Sequence, residues 1–252
     1  MKLAVFIPAY NEADTIGGVL AEIPRKIPGI DEVKVFVVDD GSTDSTYEVA
    51  STYEVETIRI RPNRGLANAF RAGMAAALAD GADLIAHLDA DGQYDPKEIP
   101  KLLAPILAGE ADLVTGDRQI GKCAFLGPAR VYGNMLGSWF LRAYAGVRAN
   151  DASCGFRAYS RAAAALLEVH STHTYTHETL IEARYKGLRV AEVPIAFRHR
   201  GKISSVEENK YSGPSSSNRP TEKPVSRLTA GLHRHIFKSL SAIFAAKERY
   251  SK

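Results

Sequence analysis

Two cysteines, Cys123 and Cys154, and a single tryptophan are all that the 252 residues contain of either type. Two cysteines with no C-x-x-C spacing cannot build a disulfide framework, so a reducing compartment is expected. No stretch approaches the roughly eighteen consecutive apolar residues of a membrane span, so an integral membrane protein is not expected. The opening MKLAVFIPAYNE has one lysine and a short apolar run broken by Pro8 and Glu12, which argues against a signal peptide. Both common phosphate-cradling signatures, GxGxxG after a strand and GxxxxGK[ST], are missing, so any nucleotide must be held by another device. What is present, 45% hydrophobic and 24% charged residues, fits a folded domain and excludes a disordered or collagen-like chain.

The formal net charge of +3 conceals an asymmetry. Residues 198–252 hold 12 Lys/Arg against 4 Asp/Glu, a balance of +8, which leaves −5 in residues 1–197. An acidic body with a basic tail points to a polyanionic partner for the tail.

Short β-branched runs alternate with helical stretches through the first two-thirds. LAVFIPA (3–9), VKVFVVD (33–39), VETIRI (55–60), DLIAHLD (83–89) and DLVTG (112–116) read as strands buried on both faces. Asp14 to Lys26, Thr43 to Thr52, Gly65 to Asp80 and Pro96 to Ala108 read as helices. Ser42 and Asp95 suit N-caps, and Pro96 suits a first helical position. The rhythm predicts an α/β fold with a doubly wound, mainly parallel sheet, helices on both faces and ligands at the carboxyl ends of the strands. Longer helices follow, Val131 to Ala145 and Thr176 to Lys186, then a strand over 188–197.

The densest chemistry is LDADGQ (88–93), directly after the strand DLIAHL. Asp89 and Asp91 are two residues apart, so in extended chain their carboxylates project to one side. Two hard oxygen ligands with room for water and substrate oxygens suit Mg²⁺ or Mn²⁺ on a diphosphate. A lone DxD is weak evidence, because surface turns are rich in aspartate. Three further polar clusters join it at strand ends or helix openings: FIPAYNE (6–12), VVDDGSTD (37–44) and PNRGLANAFRAG (62–73).

Together these motifs resemble glycosyltransferase family 2 with its GT-A fold, over residues 1 to about 200. VTGDRQ (114–119), ARVYGN (129–134), DASCGFRAYSR (151–161) and HETLIEARYKGLRVAEVPIAFRHRG (177–201) resemble the dolichyl- and polyprenyl-phosphate mannose or hexose synthases within it. The resemblance implies an inverting, metal-dependent transfer from a nucleotide-diphosphate sugar, GDP-mannose before UDP-glucose, to a polyprenyl or dolichyl phosphate. It implies Pro8, Tyr10, Glu12 and Asp39 or Asp40 around the nucleoside. Asp89, Asp91 and Gln93 would stand at the metal and diphosphate. Arg118, Arg130 and Arg200 would lie near phosphates, forming a catalytic set with Asp91 and Glu178, and Asn134, Arg157 and Glu178 would help shape the acceptor side or its support, with Lys202 on that side. The family pattern continues past its Arg and Gly with a Ser-Lys pair. This chain reads RHRGKISSV (198–206), which leaves Lys202 as the candidate for that charge. The rival readings are a transferase for a hydroxyl acceptor and a nucleotide-sugar-binding protein of the same fold without turnover.

Residues 201–226 read as a flexible Ser/Pro-rich linker and 227–252 as a basic amphipathic helix. Leu228, Leu232, Ile236, Phe237, Leu240, Ile243 and Phe244 share one side, with Arg227, Arg234, Lys238 and Arg249 opposite. The expected location is therefore the cytoplasmic face of a membrane, reached through this helix. Its own body, a second subunit or a membrane-protein partner are the other contacts such a stripe would suit. Nucleic acid is not an expected partner.

Overall fold

In this computed structural model, which describes residues 1–199 apart from 124, 125 and 173, one seven-stranded sheet organises the chain. Its strands are β1 (Lys2–Ala9), β2 (Glu32–Asp39), β3 (Glu56–Arg59), β4 (Leu84–His87), β5 (Leu113–Asp117), β6 (Arg157–Ser160) and β7 (Val190–Pro194). The helices are α1 (Ala13–Glu22), α2 (Thr46–Ala50), α3 (Leu66–Ala79), α4 (Ile99–Leu107), α5 (Pro128–Ala145), α6 (Arg161–Leu166) and α7 (Thr176–Tyr185). Strand order is β3-β2-β1-β4-β6-β5-β7. All pairings are parallel except those of β6, which runs antiparallel to both β4 and β5.

The period-two alternation of β1 divides the core into two layers. Leu3, Val5 and Ile7 face one layer, with Ile16, Val19 and Leu20 of α1 and Ile99, Leu102 and Leu103 of α4. Ala4 and Phe6 face the other, with Phe70 and Met74 of α3, Leu141 of α5, and Leu180 and Ile181 of α7. Gly73 is what lets α3 approach: a Cβ there would stand 2.3 Å from the Phe6 ring.

Several boundaries differ from the sequence reading, each for a local reason. Helix α1 stops at Glu22, not residue 26, because Ile23 precedes Pro24 and turns extended at ψ 122°. Helix α2 starts at Thr46, and Ser42 is not its cap. The Ser42 hydroxyl accepts from the Asn11 N–H, and its own N–H goes to Asp39. Asp95 does cap, accepting from the Lys97 N–H ahead of Pro96. Strand β6 and helix α6 were not anticipated. The strand is only four residues, and Arg157 at its start conceals its buried character. Strand β7 is shorter than residues 188–197, with Phe197 adding an isolated bridge to Tyr94.

From β1 the chain winds out to β2 and β3, then returns to the other flank of β1 with β4. The strand order thus reverses between β1 and β4, and an open α/β sheet has its ligand crevice at such a point. The linker 201–226, the helix 227–252, Arg200 and Lys202 lie outside the described residues.

Candidate active site

A cavity of about 400 Å³ opens at that switch point. Its walls include Pro8, Tyr10 and Glu12 after β1, Asp40 after β2, Asn63 and Gly65 before α3, and Asp89 and Asp91 after β4. Six of the eight residues expected around the nucleoside and diphosphate therefore line one space, all but Asp39 and Gln93.

The two carboxylates at the end of β2 do different work. Asp39 is fully buried; its Oδ1 accepts from the Ser42 N–H at 3.0 Å and its Oδ2 stands 3.2 Å from Arg59 Nε. That ion pair is poorly aligned as a hydrogen bond, and the Arg59 guanidinium lies over the Tyr47 ring at 4.3 Å. Asp40 instead shapes the cavity wall. Its two oxygens accept from the backbone N–H groups of Arg64 and Gly65 at 2.9 and 2.7 Å, and its carbonyl accepts from Asn63. Gly65 follows at φ 90°, a left-handed conformation that glycine alone adopts without strain, and opens α3. Asn63 and Gly65 were visible only as part of a polar cluster.

Asp89 sits at the bottom of the cavity with Asp91 beside it. Burial, reinforced by the Asp91 and Glu12 charges and opposed by Arg118, pushes the Asp89 carboxyl up to about 7. Asp91 Oδ1 accepts from the Gln93 N–H at 3.0 Å. Gln93 itself is turned away: its side-chain amide donates to the Arg198 carbonyl at 3.4 Å, and its own carbonyl accepts from the Arg198 N–H. It fixes Asp91 and the chain after β7, and the structure gives it no direct place at a metal. Gly155 faces Asp89 across a narrow gap. A Cβ there would lie 3.0 Å from Asp89 Oδ2 and 3.1 Å from the Tyr175 hydroxyl.

The donor set fits a hard divalent cation. Among the described residues no three His, Cys, Asp or Glu side chains converge on a common point. Two carboxylates beside an open cavity are nonetheless what Mg²⁺ or Mn²⁺ uses when water and phosphate oxygens complete the shell. The raised Asp89 pKa reflects burial first and the neighbouring Asp91 and Glu12 charges second.

Beside that cavity, outside its lining but within electrostatic reach of Asp89, Arg118 heads a closely braced cluster, the basic wall of the site. Arg118, one residue past β5, donates to both oxygens of Asp151 at 2.6 and 2.7 Å and to the Ser153 hydroxyl at 2.6 Å. Its guanidinium also lies 5.2 Å from the Phe197 ring centroid. Asn134 of α5 donates to Asp151 and accepts from Ser153, closing the network. Burial alone would raise the Asp151 carboxyl, but the Arg118 hydrogen bonds override it and hold the pKa below the usual carboxylate value. Asp151 and Ser153 were not singled out from sequence, although DASCGFR contains both.

Arg157 and Glu178, expected to shape the acceptor side or its support, take the supporting part. Arg157 braces from within the core. It is fully buried, and its guanidinium donates to the carbonyls of Cys154 and Ala152 and to the Thr179 hydroxyl. It holds the 152–154 turn from beneath. Glu178 is likewise no exposed catalytic group: it is 2% exposed and accepts from the N–H groups of His170 and Ser171. Glu182, one turn on, accepts from the Glu168 N–H, and Arg71 of α3 donates to the carbonyls of Val169 and Ser171. These residues together pin the 168–171 segment. Arg130 lies in the first turn of α5.

Comparison with known proteins places this geometry. Residues 4–167 match the family model for glycosyl transferase family 2. The undecaprenyl-phosphate mannosyltransferase of Micrococcus luteus is 30% identical over 224 residues, covering 84% of this chain and 88% of that protein. The UDP-N-acetylglucosamine–dolichyl-phosphate N-acetylglucosaminyltransferase of Methanococcus voltae is 29% identical over 213 residues, covering 76% and 83%. Among solved structures, glucosyl-3-phosphoglycerate synthase of Mycobacterium tuberculosis, in complex with Mn²⁺, UDP and product, superposes with a TM-score of 0.67. It is 23% identical, covering 96% of this chain and 80% of that one, a likeness of fold.

Proposed function

The chain belongs to glycosyl transferase family 2, and from that premise we propose that it transfers a hexose with inversion to a polyprenyl or dolichyl phosphate. The donor is a nucleoside-diphosphate sugar, GDP-mannose first. The named activities of the Micrococcus and Methanococcus relatives support the lipid phosphate acceptor; the sugar differs between those two proteins.

One observation carries the choice of acceptor. Among the described residues near Arg118, the carboxylates already accept from protein donors. Asp117 holds the Gln119 N–H, Asp151 holds Arg118, Glu178 and Glu182 hold backbone N–H groups, and Glu192 holds those of Asn150 and Asp151. A sugar hydroxyl needs a positioned base to become a nucleophile. A phosphate monoester, with a second pKa of about 6, arrives already ionised and needs cations to orient it.

The chain's residues then divide the work. Asp39, Asp40 and the 62–65 turn shape the nucleoside end of the cavity, under Pro8 and Tyr10. Asp89 and Asp91 would hold Mg²⁺ or Mn²⁺ against the diphosphate, and the bound ion would neutralise charge developing on the leaving group. Arg118, rigid in its bidentate pairing with Asp151, supplies a fixed positive field toward the reacting phosphates. Arg130, with Arg200 and Lys202, provides further charge for the acceptor. Orientation and electrostatics carry the rate, with no proton removed by the protein.

A hydroxyl-acceptor reading is favoured by one feature, the Asp89 pKa of about 7, which suits a general base. A donor panel offered with polyprenyl phosphate and scored for lipid-linked sugar tests the proposal. Transfer from GDP-mannose to the lipid phosphate is the expected result; transfer only to sugar hydroxyls would replace it with the second reading.

A further inference from the structure

Arg198, just past β7, does not line the cavity, yet its side chain is tightly held. Its Nη1 lies 2.6 Å from Glu22 Oε2 at the end of α1, and its Nη2 lies 2.5 Å from Asp95 Oδ2. The Arg198 side chain is 19% exposed and those of Glu22 and Asp95 are 11 and 21%. Charges this sheltered are screened less than an exposed surface pair. The planar guanidinium can serve two carboxylates at once. It therefore ties the end of α1, the loop after Asp91 and the chain leaving β7.

That loop has little else to hold it. Residues 88–95 run from β4 to the turn at Pro96 with no helix or strand of their own, an isolated bridge from Tyr94 to Phe197 apart. The backbone of such a segment needs partners from elsewhere. The chain from Ala196 to Arg198 provides them. The Arg198 N–H donates to the Gln93 carbonyl at 2.8 Å, and the Ala196 N–H donates to Glu98 Oε2 at 2.7 Å. On its other side, the Gln93 N–H donates to Asp91 Oδ1 at 3.0 Å. The path from guanidinium to cavity is short. Arg198 grips Asp95 with its side chain and Gln93 with its backbone, and Gln93 aims Asp91.

We propose that Arg198 is a positioning residue for Asp91, clamping the 91–95 turn so that the carboxylate is set before a cation arrives. The inference rests on Asp89 and Asp91 as holders of a divalent cation and is independent of the acceptor. Loss of the guanidinium acts twice. It frees the turn from the chain after β7, and it leaves Glu22 and Asp95 without the cation they share, so that the two repel. Binding a metal then has to reorder the turn first, which lowers affinity.

Mn²⁺ binding by the full chain, with GDP and in parallel with UDP, tests this without any transfer reaction. The electron paramagnetic resonance signal of free Mn²⁺ reads it. Arg198→Ala weakens Mn²⁺ binding about tenfold. Arg198→Lys, with one ammonium for two carboxylates, weakens it less. Lys97→Ala removes the other cation near Glu22, 3.5 Å away and 60% exposed, and leaves Mn²⁺ binding unchanged. Denaturant titration runs alongside. A lowered unfolding midpoint in Arg198→Ala with unchanged Mn²⁺ affinity would show a merely structural residue and overturn the proposal. Equal weakening in Lys97→Ala overturns it too, because charge at Glu22 is then what matters. Should Arg198→Ala fail to fold by circular dichroism, Glu22→Gln removes one anchor and carries the test, with unchanged affinity again overturning the clamp. Mn²⁺ affinity absent with both nucleotides, or untouched by Asp91→Asn, overturns the cation reading and the clamp together. The expected Mn²⁺ results in a protein that accepts no lipid phosphate sustain the clamp and refute only the acceptor.

Discussion

The two walls of the site differ in charge balance and are braced by different means. The β4 wall gathers Asp89, Asp91 and Glu12 around the cavity, and Asp89 is driven to a pKa of about 7. The β5 wall presents Arg118, whose own counter-charge Asp151 is locked by four hydrogen bonds from Arg118 and Asn134. The acidic wall is short of positive charge until a ligand arrives, whereas the basic wall is balanced and rigid beforehand. In the proposed reaction, that difference separates the side that would hold a cation from the side that would position phosphate.

The largest way to break the contrast is on the acidic wall. Asp91→Asn removes one of two hard ligands and lowers transfer by about 10³-fold, with the circular dichroism spectrum unchanged. Retained activity in excess chelator would show that the acidic wall serves some other end.

On the basic wall the first loss is stability. Arg118→Ala leaves the 1% exposed Asp151 without its guanidinium, at a cost of about 3–5 kcal/mol. Denaturant titration reads this directly. Arg118→Lys recovers little of it, because an ammonium cannot reproduce two bonds to the carboxylate and one to Ser153.

Titration sharpens the comparison. Asp89 has a folded pKa of about 7, above the ordinary carboxylate value of 3.8. Its ionised form is thus penalised in the fold: the cost is absent at low pH, grows as pH rises between about 4 and 7, and is complete above 7. The melting temperature of the metal-free protein falls across that window. Mn²⁺ raises it more at pH 8 than at pH 6, each 1 kcal/mol of difference showing as about 2–4 °C. Equal stabilisation at both pH values would contradict a cation held by Asp89.

The smallest effect belongs to Glu178. Glu178→Gln keeps an acceptor for the His170 and Ser171 N–H groups, so transfer falls less than about tenfold and the pH profile keeps its shape. A catalytic acid or base would lose about 10²–10⁴-fold.

The acidic wall was the more legible of the two because its information is local. Asp89 and Asp91 stand two residues apart just past β4, and both line the cavity although residues 90–91 form a turn, not the extended chain expected. The parallel sheet was legible for the same reason, from runs such as VKVFVVD. The basic wall is built from pairs distant in the chain. Arg118 and Asp151 are 33 residues apart, and Asn134 and Asp151 are 17. Nothing in a single sequence distinguishes a cation that faces ligand from one, like Arg157, that holds carbonyls in the core. Strand β6 escaped notice through the same residue. Glu178 read as a site residue because its backbone partners at 170 and 171 carry no side-chain signature.

The central claim is that the nucleophile is a phosphate already ionised. The most direct measurement compares polyprenyl phosphate with the corresponding polyprenyl alcohol, under one nucleotide sugar and one metal, scored for lipid-linked product. The account predicts transfer to the phosphate alone. Transfer to the alcohol at a comparable rate, governed by a carboxylate ionisation near pH 7, would contradict it.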